Sequence, residues 1–385
     1  DRALANGVET LEAKLPVLFT MEKINYPARI PNLKGKMAAK KVEITTITSN
    51  SLTDANKADI AAADAVIVVT GTSSSYSQED HDRATIALPD GQDTLASTVG
   101  KLNPNTVVIM ETCGPMQVTT FQNDVNAILW SSFGGQWKTG QADIITGVAN
   151  PSGKVTDTWY QNVSDTGVSD VPAITDYDML PSEGKNGRTY MYYNGANEPS
   201  YPFGFGLSYT TFEYSNLKID KTSYDANETV KVSFDVKNTG KVAGKEATQL
   251  YIAQPNAPAE LQRPIKRLEG FEKIELQPGE TKTVSMEVAI ADLVYFDEAL
   301  DCMVVDTGAY QVQVGTNSKA AADLTANFTV SGALKEVPAV VTVKANQGND
   351  SANGIEERLI YDKNQYVNPQ LTVAMNNEKL YGYII

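Results

Sequence analysis

Glu79, Asp80 and Asp82 crowd three carboxylates into four residues of the run Gln78-Glu79-Asp80-His81-Asp82-Arg83. Carboxylates this close repel one another, which raises the pKa of whichever is least solvated. A carboxyl group that holds its proton near neutral pH is what a general acid needs. The run lies a few residues beyond the apolar segment Ala65–Val69, and ligands in open α/β sheets bind outside the carboxyl ends of strands. The same residues also fit a solvated acidic loop in which Arg83 pairs one of its neighbours, and composition alone favours that plainer reading. Glu111 also follows an apolar run, but Cys113-Gly114-Pro115 just behind it makes a turn the simpler reading there. Phe133 and Gln136, in the loop after Ala127–Trp130, could reach the same pocket. His81 has no nucleophile-and-carboxylate context and reads as an exposed loop residue.

Composition excludes several other chemistries. The chain of 385 residues holds 47 acidic and 32 basic residues, for a formal charge of −15. Nucleic-acid binding needs clustered Lys and Arg, and the short clusters Lys34–Lys41 and Arg263–Arg267 read as solvated surface. With two cysteines and one histidine, neither a Cys/His zinc site nor a disulfide framework is expected. Histidine-dependent hydrolase triads would all have to use His81. No GxxxxGK phosphate loop, HExxH helix or GxSxG elbow occurs, and Gly204-Phe205-Gly206 reads as a turn, so no metal or cofactor is expected. No apolar run approaches the roughly eighteen residues that span a bilayer. The start at Asp1, without a basic-then-apolar leader, reads as that of a processed or excised piece.

The elements that must position these residues change character along the chain. Thr53-Asp54 can cap a helix reaching Ala63, and Ala65–Val69 then reads as a buried strand. Leu95, Val99 and Leu102 recur at helical spacing before a second strand, Thr106–Met110; Ala127–Trp130 is a third apolar run, and a helical stretch ends near Gly147. Buried strands separated by helices predict a mostly parallel sheet in an α/β layer fold. After a loop-rich stretch the period becomes two. Val230, Val232, Phe234 and Val236 alternate with polar residues, as do Leu250 and Ile252, Val284 to Ile290, and Tyr310 to Val314. Turns at Asn238-Thr239-Gly240, Pro278-Gly279 and Thr307-Gly308 separate them, which predicts an all-β sandwich of the immunoglobulin or fibronectin class. The expected organisation is an α/β sandwich over 1–200 with an incomplete start, a fibronectin type III-like domain over 201–332, and a tail or further β-module over 333–385.

An ordered series of motifs resembles the carboxyl-terminal half of glycoside hydrolase family 3, the β-glucosidase and β-xylosidase family. It runs from Glu79-Asp80-His81-Asp82-Arg83 with Leu88-Pro89 and Gln92 through Asn103-Pro104-Asn105-Thr106-Val107-Val108, Gly134-Gly135-Gln136 and Asn150-Pro151-Ser152-Gly153-Lys154 to Tyr201–Tyr209. Val236–Gly240, Leu268-Glu269-Gly270-Phe271 and Leu276–Thr281 continue it into the β region. The resemblance implies a retaining glycosidase of β-linked glucose or xylose units, with an aspartate nucleophile on a TIM barrel and a glutamate acid/base on the α/β sandwich. Laid on the family's Glu-x-x-Asp-Arg pattern, Glu79 takes the acid/base position, and Asp82 and Arg83 complete the motif as substrate-binding partners. Many members carry glycine after the glutamate, where this chain has Asp80 and an added charge.

The barrel and its nucleophile motif are not among these residues, so a separate barrel domain or chain is the expected partner. The competing class is a carbohydrate-binding or cell-surface scaffold derived from the family, and a secreted or cell-surface location is expected. Trp130 and Trp137 could stack on sugar rings, although Trp130 closes an apolar run and fits a core better. The aromatic stretch Tyr190–Tyr209 reads as a packed connection between domains.

Overall fold

Helices alternate with apolar strands, and then strands follow strands, in a computed structural model that describes residues 2–4, 7–9, 52–73, 76–77, 83–133, 139–167, 178–297, 302–332, 337–338, 340–345, 354–360, 372–376 and 379–381. Residues 1–48 and 49–385 form two compact units. The first holds the antiparallel pair β1 (Arg2–Leu4) and β2 (Gly7–Glu9).

The second unit opens with α1 (Asp54–Ala62). Thr53 starts this helix with a reciprocal cap: its hydroxyl accepts from the Asn56 amide, and the Asn56 side chain accepts from the Thr53 amide, each at 3.2 Å. Then come β3 (Val66–Gly71), α2 (Gln92–Leu102), β4 (Thr106–Glu111), β5 (Ala127–Ser131) and α3 (Thr139–Ile145). The three strands form one parallel sheet in the order β3-β4-β5, as the apolar runs predict. However, β3 is not the buried strand expected at Ala65–Val69: Val68 is buried while Ile67 and Val69 are exposed on its other face. Val68, Val108 and Met110 meet Ala96 and Val99 of α2 in a core completed by Met116, Val118, Phe121 and Trp159. The asparagines of Asn103-Pro104-Asn105 fasten helix to strand. Asn103 Nδ2 donates to the carbonyls of Ile60 and Ala63 at the end of α1, and Asn105 Nδ2 donates to that of Asp64. Carbonyls left unpaired by a helix end are thereby satisfied.

A short α4 (Thr189–Tyr192) precedes the strands β6 (Phe212–Ile219), β7 (Ser223–Asp225), β8 (Thr229–Asn238), β9 (Gly244–Ala253), β10 (Arg267–Leu276), β11 (Thr281–Ala289), β12 (Tyr295–Asp297), β13 (Cys302–Val304), β14 (Gly308–Gly315), β15 (Thr325–Ser331) and β16 (Val337–Pro338). A five-stranded sheet β10-β9-β14-β15-β7 faces a three-stranded sheet β11-β8-β6, and β12, β13 and β16 pair separately. The inward set is the one that period-two alternation marks: Val230, Val232, Phe234 and Val236 of β8, Leu250 and Ile252 of β9, and Tyr310, Val312 and Val314 of β14 are all buried. Gly279 and Gly308 take positive φ in the turns, as their sequence positions require. Beyond residue 339, β17 (Val340–Ala345), β18 (Gly354–Ile360), β19 (Thr372–Asn376) and β20 (Lys379–Tyr381) make an antiparallel meander.

The α/β layer and the β-sandwich are joined by polar contacts that start from Asn150 and Lys154. Asn150 Nδ2 donates to the Ala243 carbonyl at 2.9 Å, while its Oδ1 accepts from Ser208 Oγ and the Tyr209 amide. Lys154 forms a 3.1 Å ion pair with Glu246 of β9 and also donates to the Gly206 carbonyl. Tyr214 of β6 adds its hydroxyl to the same Glu246 oxygen at 3.0 Å. Burial raises the Glu246 carboxyl above the usual glutamate range, and Lys154 and Tyr214 draw it part of the way back. Aromatic rings fill the rest of the connection: Tyr190 stacks on Phe203 at 4.2 Å and meets Tyr251 edge-on, and Tyr201 lies between Phe205 and Trp159.

A buried carboxylate stripped of its cation is costly. Lys154→Met is therefore expected to destabilise the chain by about 3–5 kcal/mol in chemical denaturation. The double variant Lys154→Met/Glu246→Met is expected to recover most of that loss, since it leaves no unpaired charge.

Candidate active site

Parallel pairing sets Gly71 beside Glu111 and Glu111 beside Ser131, so β3, β4 and β5 end abreast and their loops leave from one edge. The strands approach closely there. A Cβ on Gly71 would stand 2.6 Å from the Glu111 carbonyl oxygen, so the position demands glycine. The Thr72 amide donates to that same carbonyl at 3.1 Å and continues the ladder one residue into the loop. On the other side of Gly71, the Gln92 side chain takes both backbone groups: Oε1 accepts from the Gly71 amide at 2.7 Å, and Nε2 donates to its carbonyl at 3.1 Å.

A polar network lines this edge. Gln141 of α3 donates from Nε2 to Ser131 Oγ at 2.7 Å and to Glu111 Oε1 at 3.2 Å. Trp130 Nε1 donates to Thr112 Oγ1 at 2.9 Å, and that hydroxyl donates to the Gly114 carbonyl. The Trp130 ring meets the buried Trp159 edge-on at 5.5 Å, which makes it part of the packed layer.

Of the residues the sequence nominates, Arg83 and Phe133 are described. Glu79, Asp82 and Gln136 lie outside the described residues, as do Asp80, His81 and Trp137. Arg83 is half-buried on the segment after β3, its Nη1 donating to Met116 Sδ at 2.8 Å and its guanidinium 5.9 Å from the centre of the Tyr76 ring. Met116 belongs to the segment after β4, so Arg83 ties two of the edge loops together. Phe133 stands two residues past β5 with 56% of its surface exposed, an apolar side chain open to contact. Glu111 is the last residue of β4 rather than part of a turn, and its carboxylate is engaged by Gln141.

Gln92, Gly71 and Gln141 are the residues that sequence reasoning left without a role. Gln92 was visible only as one letter of a motif. Among the described residues no group of three or more His, Cys, Asp or Glu is placed to hold a metal ion, and no helix is long and apolar enough to cross a membrane. Among the described residues the arrangement offers a parallel edge with the Glu111 carboxylate at the end of β4 and, on the segments after β3 and β5, the Arg83 guanidinium and the exposed Phe133 ring. Such an edge can supply side chains to a ligand held largely by other surfaces.

Comparison with known proteins agrees with this architecture. The pattern of the glycosyl hydrolase family 3 C-terminal domain matches residues 5–209, and that of a fibronectin type III-like domain matches residues 246–318. The chain belongs to glycosyl hydrolase family 3. It is 32% identical over 317 residues to the thermostable β-glucosidase B of Acetivibrio thermocellus, a match covering 77% of this chain and 40% of that protein. It is 36% identical over 270 residues to a β-xylosidase of Formosa agariphila, covering 70% of this chain and 36% of the relative. The crystal structure of a β-glucosidase from Kluyveromyces marxianus in complex with glucose superposes with a TM-score of 0.60 at 30% identity, over 76% of this chain and 35% of that one. The chain thus spans 40% or less of the length of each of these relatives.

The tight approach of β3 to β4 can be checked directly. Gly71→Ala is expected to force the strand ends apart and to cost about 1–3 kcal/mol in denaturant unfolding, the usual range for overpacking. Gly114→Ala, where an added Cβ meets nothing within 4 Å, is the control and should leave stability within about 0.5 kcal/mol.

Proposed function

We propose that this chain is the acid/base-bearing portion of a retaining β-glycosidase that acts on β-linked glucose or xylose units, with Glu79 as the acid/base. The nucleophile comes from a TIM barrel outside the chain. The observation that carries this reading is the place of the Glu79–Arg83 motif in the chain. It follows β3 in the chain, and β3 ends at the edge from which the segments after β4 and β5 also leave. Membership of a family whose matched relatives include β-glucosidases and a β-xylosidase supports the reaction class.

In the first step the barrel carboxylate attacks the anomeric carbon and the C1–O bond breaks. Its electron pair goes to the leaving oxygen, which takes the proton of Glu79. In the second step the Glu79 carboxylate removes a proton from water. The water oxygen then bonds to C1 and the nucleophile carboxylate departs, so Glu79 ends protonated again. The two carboxyl groups of such a site stand about 5–5.5 Å apart, and so the Glu79 loop must reach across to the barrel mouth. Arg83, Asp82, Phe133 and Gln136 are the residues this reading assigns to the substrate.

Glu79→Gln in the barrel-containing enzyme tests this reading. Turnover of alkyl glycosides, whose leaving groups need protonation, should fall about 10²–10⁴-fold. Aryl glycosides with good leaving groups should keep most of their first-step rate, a glycosyl-enzyme should accumulate, and azide should restore turnover. Near-wild-type rates on both substrates without an azide effect would make Glu79 a solvated surface-loop residue instead. The partner is tested by the intact mass of the native polypeptide together with any chain that copurifies. A barrel should be present, and a native protein of only these residues with no barrel partner would defeat the enzyme reading.

A further inference from the structure

The segment 72–91 leaves the sheet at Gly71 and returns to it at Gln92, the first residue of α2. Its two ends are joined by one side chain. Among the described residues β3 is the edge strand of the parallel sheet, and the amide and carbonyl that Gly71 turns away from β4 pair with no described strand. The Gln92 carboxamide stands where a pairing strand would be. Its planar end offers one acceptor and one donor side by side, which matches the donor and acceptor of a single residue's backbone edge. An ionised glutamate there would only accept, methionine would do neither, and asparagine is one methylene shorter.

Three further ties hold the segment. Tyr76 donates its hydroxyl to the Ala87 carbonyl at 2.9 Å across the loop, and the Ser77 amide donates to the Ser73 carbonyl at 3.0 Å. The Gln117 amide donates to the Ile86 carbonyl at 2.6 Å, which binds the segment to the one after β4. On either side of residues 78–82, Ser77 is held in a local turn by its amide bond to Ser73, and Arg83 is tied to the segment after β4 through Met116.

We propose that Gln92 is a positioning residue for the acid/base: by closing the base of the segment on Gly71 it sets how far the Glu79 loop reaches. This rests on the reading of Glu79 given above. A general acid acts only within hydrogen-bond reach of the leaving oxygen, and a displacement of about 1 Å can cost on the order of 10²-fold in rate.

The test uses the barrel-containing enzyme with Gln92→Met, which keeps the side chain's bulk, and Gln92→Glu, which keeps only the acceptor. Glu79→Gln is measured beside them. On cellobiose, Gln92→Met should lose about 10–100-fold in kcat with KM changed less than about twofold, and Gln92→Glu should fall between it and wild type. On dinitrophenyl β-glucoside, whose leaving group needs no proton, the first-step rate should fall less than about threefold. Equal losses on both substrates would mean a general structural role and overturn the inference, as would wild-type kinetics on cellobiose. If Glu79→Gln shows leaving-group dependence and Gln92→Met does not, the inference fails and the Glu79 reading stands. If Glu79→Gln itself shows none, the Glu79 reading fails and the positioning role falls with it.

Discussion

Everything at the candidate site depends on how closely β3 runs beside β4 where both strands end. Gly71 lies against the Glu111 carbonyl at a distance that no side chain would allow, and the Thr72 amide takes that carbonyl as its partner. The ladder therefore persists to the last residue of the sheet, and the loop begins from a fixed point. Parallel pairing then carries the effect sideways, because Glu111 stands abreast of Ser131 and the loop after β5 starts from the same line. Gln141 ties these two residues through one side-chain amide. Loops usually carry function and rigid elements position them. Here the rigidity comes from backbone contact at the strand ends.

The family's other recurrent motifs do a different job. Asn150 and Lys154, with the aromatic and glycine-rich run that ends at Tyr209, form the junction between the α/β layer and the β-sandwich. Gly204 has positive φ and sits where any Cβ would strike the Gln249 carboxamide, which itself donates to the carbonyls of Gly204 and Thr316. Tyr251 completes that group by donating its hydroxyl to Gln249 Oε1. Buried polar groups are costly unless paired, so a junction of this composition favours a single arrangement of the two layers. The sandwich is thus bound to the layer that bears the loops by fully engaged side chains as well as by its connecting chain.

Much of this was legible in the residues, for reasons that differ between the two halves. The run Thr106–Glu111 announces a parallel strand because both of its faces are covered, and the alternation Val230–Val236 announces a sandwich because only one face is; Val66–Gly71 reads like Thr106–Glu111 in sequence, yet its Ile67 and Val69 face outward. The Thr53 cap was legible because its partner, Asn56, is three residues away. Gln92 and Asn150 were not, since their partners lie 21 and 58 residues off and depend on the tertiary fold. Arg83 shows the same limit from the other side. Its place in the motif suggests a substrate contact, while the neighbours the fold gives it are Met116 and Tyr76.

The central claim is that Glu79 delivers the proton to the glycosidic oxygen. An affinity label tests it most directly: bromoacetyl β-glucosylamine binds as a glucoside and carries its electrophile where the leaving oxygen would stand. Incubated with the barrel-containing enzyme and mapped by peptide mass spectrometry, it should esterify the carboxyl of Glu79, one label per site, with protection by glucose. Labelling of Glu111 instead, or of carboxylates in the barrel alone, would contradict the account.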